Sequence, residues 1–324
     1  MYVGVTIVMV FVRAKKIKGK KHHYLEKSIR LANGKIKKIS IYIKDYKPKM
    51  DLNSYESILN KRISEEIVRS ATEKYQNDLI FTKSKLAKLE EIKLGYQNIL
   101  KKLTAKQFQD IIDRFTVNFI YESNAIEGNS LTLKDVTYII QEKKILQEKD
   151  LREVYETLNT RKALQWIFEN KPKLNEKNIL ELHKIIVENT GVTLGYKKLP
   201  NFLLGRNVQT TPPEKVGLEM KNLLRDYENN QNIHPLQRAA LFHGNFEKIH
   251  PFEDGNGRVG RLLINIILLN NSYPPLIIRK TQRVAYFHAL EAFDSKHFDN
   301  LYWFLIEKYE NTYENFFKIY VQYI

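Results

Sequence analysis

A mainly α-helical chain preceded by a small antiparallel β-sheet is what this sequence predicts, on three observations. Residues 1–50 alternate runs of strand formers with turn signals. Residues 54–103 contain no proline and one glycine, Gly95, with acids and bases in balance, which suits long surface helices. Beyond residue 104, apolar residues recur at helical spacing between recognisable caps.

In chain order, the run from Tyr2 to Val12 spans eleven residues, too few for the roughly 18 that a membrane helix needs. Its positive charges follow it, the reverse of a secretory signal, and its β-branched content reads as a buried strand. Met9 would serve equally well as the start of the pattern that follows. From Val10 to Ile43 the chain reads strand, turn, strand, turn, strand. Gly19 marks one turn and Asn33-Gly34 the other, because both tolerate positive φ. Lys47-Pro48-Lys49 ends the sheet.

The helical remainder begins with Phe108, Ile111, Ile112, Phe115 and Phe119 as one buried face. Thr132-Leu-Lys-Asp135 opens a helix as a capping box, Asn175 caps the helix that contains His183, and Pro235 takes a first-turn position. Leu262 to Leu269 is apolar almost all round, which places that helix in the middle of a bundle. An aromatic-rich segment from Tyr302 to Tyr323 closes the chain. One non-helical interruption falls between Gly191 and Pro213. The expected domains are therefore a basic β module over 1–50, a helical arm over 51–103 and a catalytic domain over 104–324.

At 324 residues the chain has room for about two domains, each with a real core. It has no cysteine, which excludes disulfides, thiolate zinc sites and a cysteine nucleophile, and suits a reducing, cytoplasmic setting. The formal charge is +16, and residues 1–50 carry most of it, with 14 Lys and Arg against Glu26 and Asp45. A surplus so concentrated implies an acidic partner such as nucleic acid, or a lysine-rich solvated face.

The chemistry-bearing segment is Ile249-His-Pro-Phe-Glu-Asp-Gly-Asn-Gly-Arg-Val-Gly-Arg261. It is a polar, glycine-rich loop between two helices, with a histidine at its start and two arginines on the opening turn of the second helix. A helix N-terminus offers unpaired N–H groups and the positive end of a dipole, and glycines allow close approach of phosphate oxygens. Arg258 and Arg261, three residues apart, share a face able to grip adjacent phosphates. Asp254 is an oxygen ligand suited to Mg²⁺, and His250 can exchange a proton near neutral pH. Gly255, Gly257 and Gly260 satisfy G-x-G-x-x-G, but a helix, not a strand, precedes them. A zinc site from His243, His250 and Asp254 remains open on spacing alone.

The run His250 to Arg261 resembles the signature of the Fic family, H-P-F-x-[DE]-G-N-G-R-x-x-R, at every specified position. The likeness extends from about residue 105 to 310. Gly195-Tyr196, Arg206-Asn207-Val208 and Thr211-Pro212-Pro213 resemble the family's β-hairpin flap, and Arg283-x-x-Tyr286 its next helix. The resemblance implies a Fic-type helical bundle and transfer of AMP from ATP to a Tyr, Thr or Ser hydroxyl of a target protein. His250 would then be the general base and Asp254 the Mg²⁺ ligand. Gly255, Asn256, Gly257 and Arg258 would cradle the phosphates, Arg261 would hold the γ-phosphate, and Phe252 would anchor the loop in the core. The flap near Val208 and Gln209 would pair with an extended target segment.

Upstream, Ser123-Asn-Ala-Ile-Glu127-Gly128 resembles the family's inhibitory pattern [ST]-x-x-x-E-[GN], within a helix of about 108–128. Glu127 would reach Arg261 and take the place of the γ-phosphate. A plain helix C-cap at Gly128 is the alternative reading of the same segment. Whether Glu127 is a brake or positions water to remove AMP, as in some relatives, stays open. So does another nucleotidyl or phosphoryl transfer, although Gly257 stands where the phosphotransferase subgroup tends to carry lysine. A nucleic-acid-binding regulator acting through residues 1–50 is the non-catalytic alternative. The surfaces of residues 54–103 could form a homodimer, and no membrane partner is expected.

Overall fold

The structure, a computed structural model, describes residues 10–142, 149–201 and 209–319. It divides into two compact units: residues up to Asp78 with Thr82–Leu94, and Leu79–Phe81 with Gly95 onward.

In the first unit, β1 (Phe11–Ile17), β2 (Lys20–Arg30) and β3 (Ile36–Ile43) form one antiparallel sheet in that order. The β1–β2 turn has positive φ at both Lys18 and Gly19, as a two-residue hairpin requires. Gly34 closes the second turn at φ 80, where the Asn33 carboxamide accepts the N–H of Lys35. Leu25 and Ile29 of β2 and Ile41 and Ile43 of β3 share one face, which α1 (Asn53–Thr72) covers with Leu59 and Ile63. Burying these six aliphatic side chains contributes on the order of 10 kcal/mol. Lys37 reaches across this junction to Glu66 of α1 at 2.7 Å. The strand read over residues 2–12 lies outside the described residues as far as Met9. Its described end is not buried: Val10 and Phe11 are exposed, because Phe11 opens an outer strand on the face turned away from α1 and Val10 precedes it. Helix α2 (Lys83–Lys102) completes this part of the chain, its first turn met by Thr82 Oγ1, which accepts from the N–H of Lys85.

The second unit is helical. It contains α3 (Ala105–Ile126), α4 (Leu133–Thr137), α5 (Leu151–Asn170), α6 (Glu176–Ile186), α7 (Pro213–Asn229), α8 (Pro235–Ile249), α9 (Asn256–Asn270), α10 (Arg283–Asp294) and α11 (Asp299–Thr312). Helix α9 runs through its centre, packed against α3, α5, α6 and α8, with every residue from Arg258 to Leu268 buried. An all-round apolar helix has no polar face to give to water, so the others form around it. The capping boxes are where composition places them: Thr104 with Gln107 at α3, Thr132 with Asp135 at α4. Asn175 accepts the N–H of Asn178 at the start of α6, and Pro235 opens α8. On α3, Ile111, Ile112, Phe115 and Phe119 are buried, but Phe108 is 37% exposed. It occupies the first turn, ahead of the point where the apolar stripe meets its neighbours.

The proposed flap falls largely on residues 202–208 and the chain end on 320–324, outside the described residues. On either side of the former, the Thr210 hydroxyl donates to the Asn201 carbonyl at 3.0 Å, so the two ends of that segment meet. Among the described residues, no helix is long and apolar enough to cross a membrane.

Candidate active site

The loop from His250 to Gly255 joins α8 to α9, and its shape comes from two left-handed residues. His250 ends α8 at φ 50, its N–H donating to Phe246 O, while Gly255 caps α9 at φ 84. Between them Phe252 is fully buried and stacks on His183 of α6, ring centres 3.8 Å apart. Burial pushes the His183 pKa down to about 4. Its ring is thus neutral, and the proton on Nε2 is donated to the Asp254 carbonyl at 3.1 Å. The Asn256 carboxamide accepts from the Phe252 N–H and donates to the Phe252 carbonyl, both at 2.9 Å. Asn256 therefore spends its side chain on shaping the loop, and only its backbone is left to face a phosphate.

Each arginine of α9's opening turns is buried against a carboxylate. Arg261 is 2% exposed; its Nη1 lies 2.7 Å from Glu127 Oε1, its Nε donates to Ser123 Oγ at 3.0 Å and its Nη2 to the Ser123 carbonyl at 2.8 Å. Burial alone would lower its pKa, but Glu127 foremost, with Tyr286 and Glu247, holds the guanidinium charged. Ser123 and Glu127, one turn apart at the end of α3, so converge on one cation. Gly128, at φ 102, closes that helix with its N–H on the Ala125 carbonyl. The cap thus aims the carboxylate, and the two readings of the segment describe one object. A Cβ on Gly257 would overlap Glu127 Oε1, so the glycine is what admits the carboxylate to the helix.

Arg258, 3% exposed, goes the other way. Its Nη1 meets Glu156 of α5 at 3.0 Å and its Nη2 meets Asp254 at 3.3 Å. The two arginines therefore line a site from two sides, not one shared stripe. Asp254 also holds Arg152 of α5 at 2.5 Å. Burial would raise its pKa, but Arg258, the Gly255 N–H and Arg152 keep the carboxyl below its usual range and ionised. Among the described residues no three His, Cys, Asp or Glu side chains could jointly hold a metal. The zinc alternative has no such cluster: His243 bonds Tyr286 at 2.7 Å, deep in the bundle. A single ionised carboxylate at the head of α9 would suit Mg²⁺ only beside a bound phosphate, since Mg²⁺ takes one or two carboxylates and completes its shell with phosphate and water.

Arg152, Glu156, His183 and Lys197 escaped the sequence reading. Lys197, 5% exposed, donates its backbone N–H to Pro251 O and its ammonium to Asn201 Oδ1, Thr210 Oγ1 and Ile249 O. Burial lowers its pKa to about 8. The unfolded chain holds that proton up to its ordinary pKa near 10.5, so unfolding takes up a proton between these values and wild-type stability gains as pH rises through that window. Measured against Lys197→Met, the unfolding free energy is expected to improve between pH 8 and 10 by at most about 3 kcal/mol. A difference flat with pH in parallel denaturant titrations would refute the burial cost.

The profile of the Fic/DOC family matches residues 173–268. A protein adenylyltransferase Fic of Drosophila ananassae is 30% identical over 242 residues, 73% of this chain and 46% of that protein. The chain thus spans about half the length of the curated relatives it matches. Among solved structures, a Fic-domain signalling protein of Bacteroides thetaiotaomicron superposes with a TM-score of 0.64 at 24% identity, over 70% of this chain and 94% of that one. Fic-1 of C. elegans gives 0.65 at 21%, over 86% and 80%. At these identities the two structures speak for the fold.

Proposed function

Residues 173–268 of this chain are a domain of the Fic/DOC family, and on that premise we propose that the protein is an autoinhibited adenylyltransferase moving AMP from ATP to a Tyr, Thr or Ser hydroxyl of a target protein. The observation that carries the autoinhibition is the 2.7 Å pair of Glu127 with buried Arg261. An arginine buried at the head of a helix, and held by a carboxylate that enters over a glycine, is a phosphate grip with its ligand position taken.

In the active arrangement the triphosphate lies along the first turn of α9. The N–H groups of that turn, freed by Gly255 and Gly257, face its oxygens, and the helix dipole adds to their field. Arg258 meets the leaving phosphates and Arg261 the γ-phosphate once Glu127 withdraws. As the target hydroxyl oxygen attacks the α-phosphorus, His250 takes the hydroxyl proton. The bond from that phosphorus to the β-phosphate bridging oxygen breaks, and its electron pair leaves with pyrophosphate. Asp254, turned from Arg152, would hold Mg²⁺, which neutralises charge on the phosphate oxygens when bound. No covalent enzyme intermediate is needed; fixed geometry and placed positive charge supply the rate.

Two labelled substrates test the reading. Protein incubated with Mg²⁺ and ATP labelled at the α-phosphate is expected to acquire label on itself or on a protein in cell extract, and ATP labelled at the γ-phosphate is expected to leave none. Label arriving from the γ position would make the enzyme a phosphotransferase and overturn the proposal.

A further inference from the structure

The sheet of the first unit has a second face that, among the described residues, no helix of that unit covers. In an antiparallel pair, directly opposed residues point to the same side. Leu25 and Ile29 face α1, so their neighbours Tyr24, Glu26 and Arg30 face away, and the pairing Arg13↔Tyr24↔Tyr42 and Glu26↔Ser40 extends that outward face over all three strands. Five cations stand on it, Arg13, Lys15, Lys20, Arg30 and Lys38, against one acid, Glu26.

That acid is fully buried beneath the cations. Glu26 pairs with Lys15 at 2.5 Å, lies 3.9 Å from Arg13 and 3.7 Å from Lys38, and accepts from Ser40 at 3.0 Å. It ties three flexible side chains into an ordered array that remains 53%, 39% and 44% exposed for the side chains of Arg13, Lys15 and Lys38. Ordering them beforehand lowers the entropy lost when an anion binds. The net excess on the face is still positive.

We propose that this open sheet face is a docking surface for double-stranded DNA. Charge complementarity selects a polyanion. Geometry favours the duplex: the cations on β2 run from Lys20 to Arg30, ten residue steps or about 34 Å, close to one turn of B-DNA. The aromatic residues argue against a single strand. Lys15 Nζ sits 4.5 Å over the Tyr24 ring, and the Tyr24 and Tyr42 rings are inclined at 58°. A covered ring and a tilted neighbour do not make the flat platform on which unpaired bases stack. Exposed Phe11, Ile17 and Ile36 at the strand ends supply apolar surface of the kind that meets thymine methyl groups. The inference is independent of the transfer chemistry and survives if that reading fails.

Fluorescence anisotropy of the full chain with a labelled duplex of two helical turns tests it. With four phosphates contacted, affinity is expected to fall about a hundredfold as salt rises from about 50 to 200 mM. Lys20→Glu with Arg30→Glu is expected to weaken binding at least tenfold and to flatten the salt slope by roughly two contacts. Lys61→Glu with Arg62→Glu, the same charge change on exposed positions of α1, is expected to cost far less. All four positions are exposed, and unchanged thermal melting confirms that each variant folds. No binding at low salt, equal loss in the two double variants, or tighter binding to a single strand or to polyglutamate than to the duplex overturns the proposal.

Discussion

Replacing Glu127 by glycine is expected to raise ATP-dependent labelling about a hundredfold, the consequence of releasing roughly 3 kcal/mol of coupling to Arg261. Two effects separate in this variant. The apo protein should melt lower, because Arg261 is buried and loses its nearest carboxylate while keeping the Ser123 bonds and the weaker influence of Tyr286 and Glu247. ATP with Mg²⁺ should then stabilise the variant more than it stabilises wild type, because the γ-phosphate restores a partner that the wild-type arginine already has. A general loss of structure would lower melting without enlarging the nucleotide shift or the labelling rate. Unchanged labelling beside an unchanged ATP shift would remove Glu127 from any inhibitory role. Gly128 is left intact, so the helix end keeps its cap.

Loss of the His250 imidazole should reverse that gain. In the Glu127→Gly background, His250→Ala is expected to cut labelling by about 10²- to 10⁴-fold, the usual contribution of a positioned base. His250 holds φ at 50, a region that alanine enters at a cost of about 1–2 kcal/mol. His250→Asn is therefore the better control, because asparagine visits this conformation readily and cannot act as the base. Both variants should retain the ATP-induced melting shift, since in the proposed arrangement the phosphates rest on α9 and not on the imidazole. If the asparagine variant labels at the parent rate, the proton goes elsewhere and the assignment of His250 falls.

The elements most readable in advance were those whose cause lies within a few residues. Gly19, Gly34, Thr132 with Asp135, and Asn175 act through their own φ angles or through hydrogen bonds three residues away and stand where their chemistry puts them, whereas Asn33 takes no positive φ and instead accepts the N–H of Lys35. The loop His250 to Arg261 was legible for a related reason: glycine, carboxylate, imidazole and guanidinium crowd into twelve consecutive positions. Phe108 was misread because periodicity gives the direction of a face but not how far the neighbouring helices extend along it. Arg152, Glu156, His183 and Lys197 carry no local signal. Each is an ordinary polar residue of a helix or connection until another part of the chain is folded against it.

Order along the chain was enough to set the helical class, the leading sheet, the polar glycine-rich turn at the head of α9 and the spacing of a serine and a glutamate one turn apart. Proximity across the fold settled the rest: that Arg258 and Arg261 diverge to Glu156 and Glu127, that Asn256 ties its own loop, and that Glu26 gathers cations from neighbouring strands. The division follows from the range of the forces. Backbone sterics and capping bonds act between neighbours in sequence, whereas burial and Coulomb attraction act between neighbours in space, and only the packed chain says which residues those are.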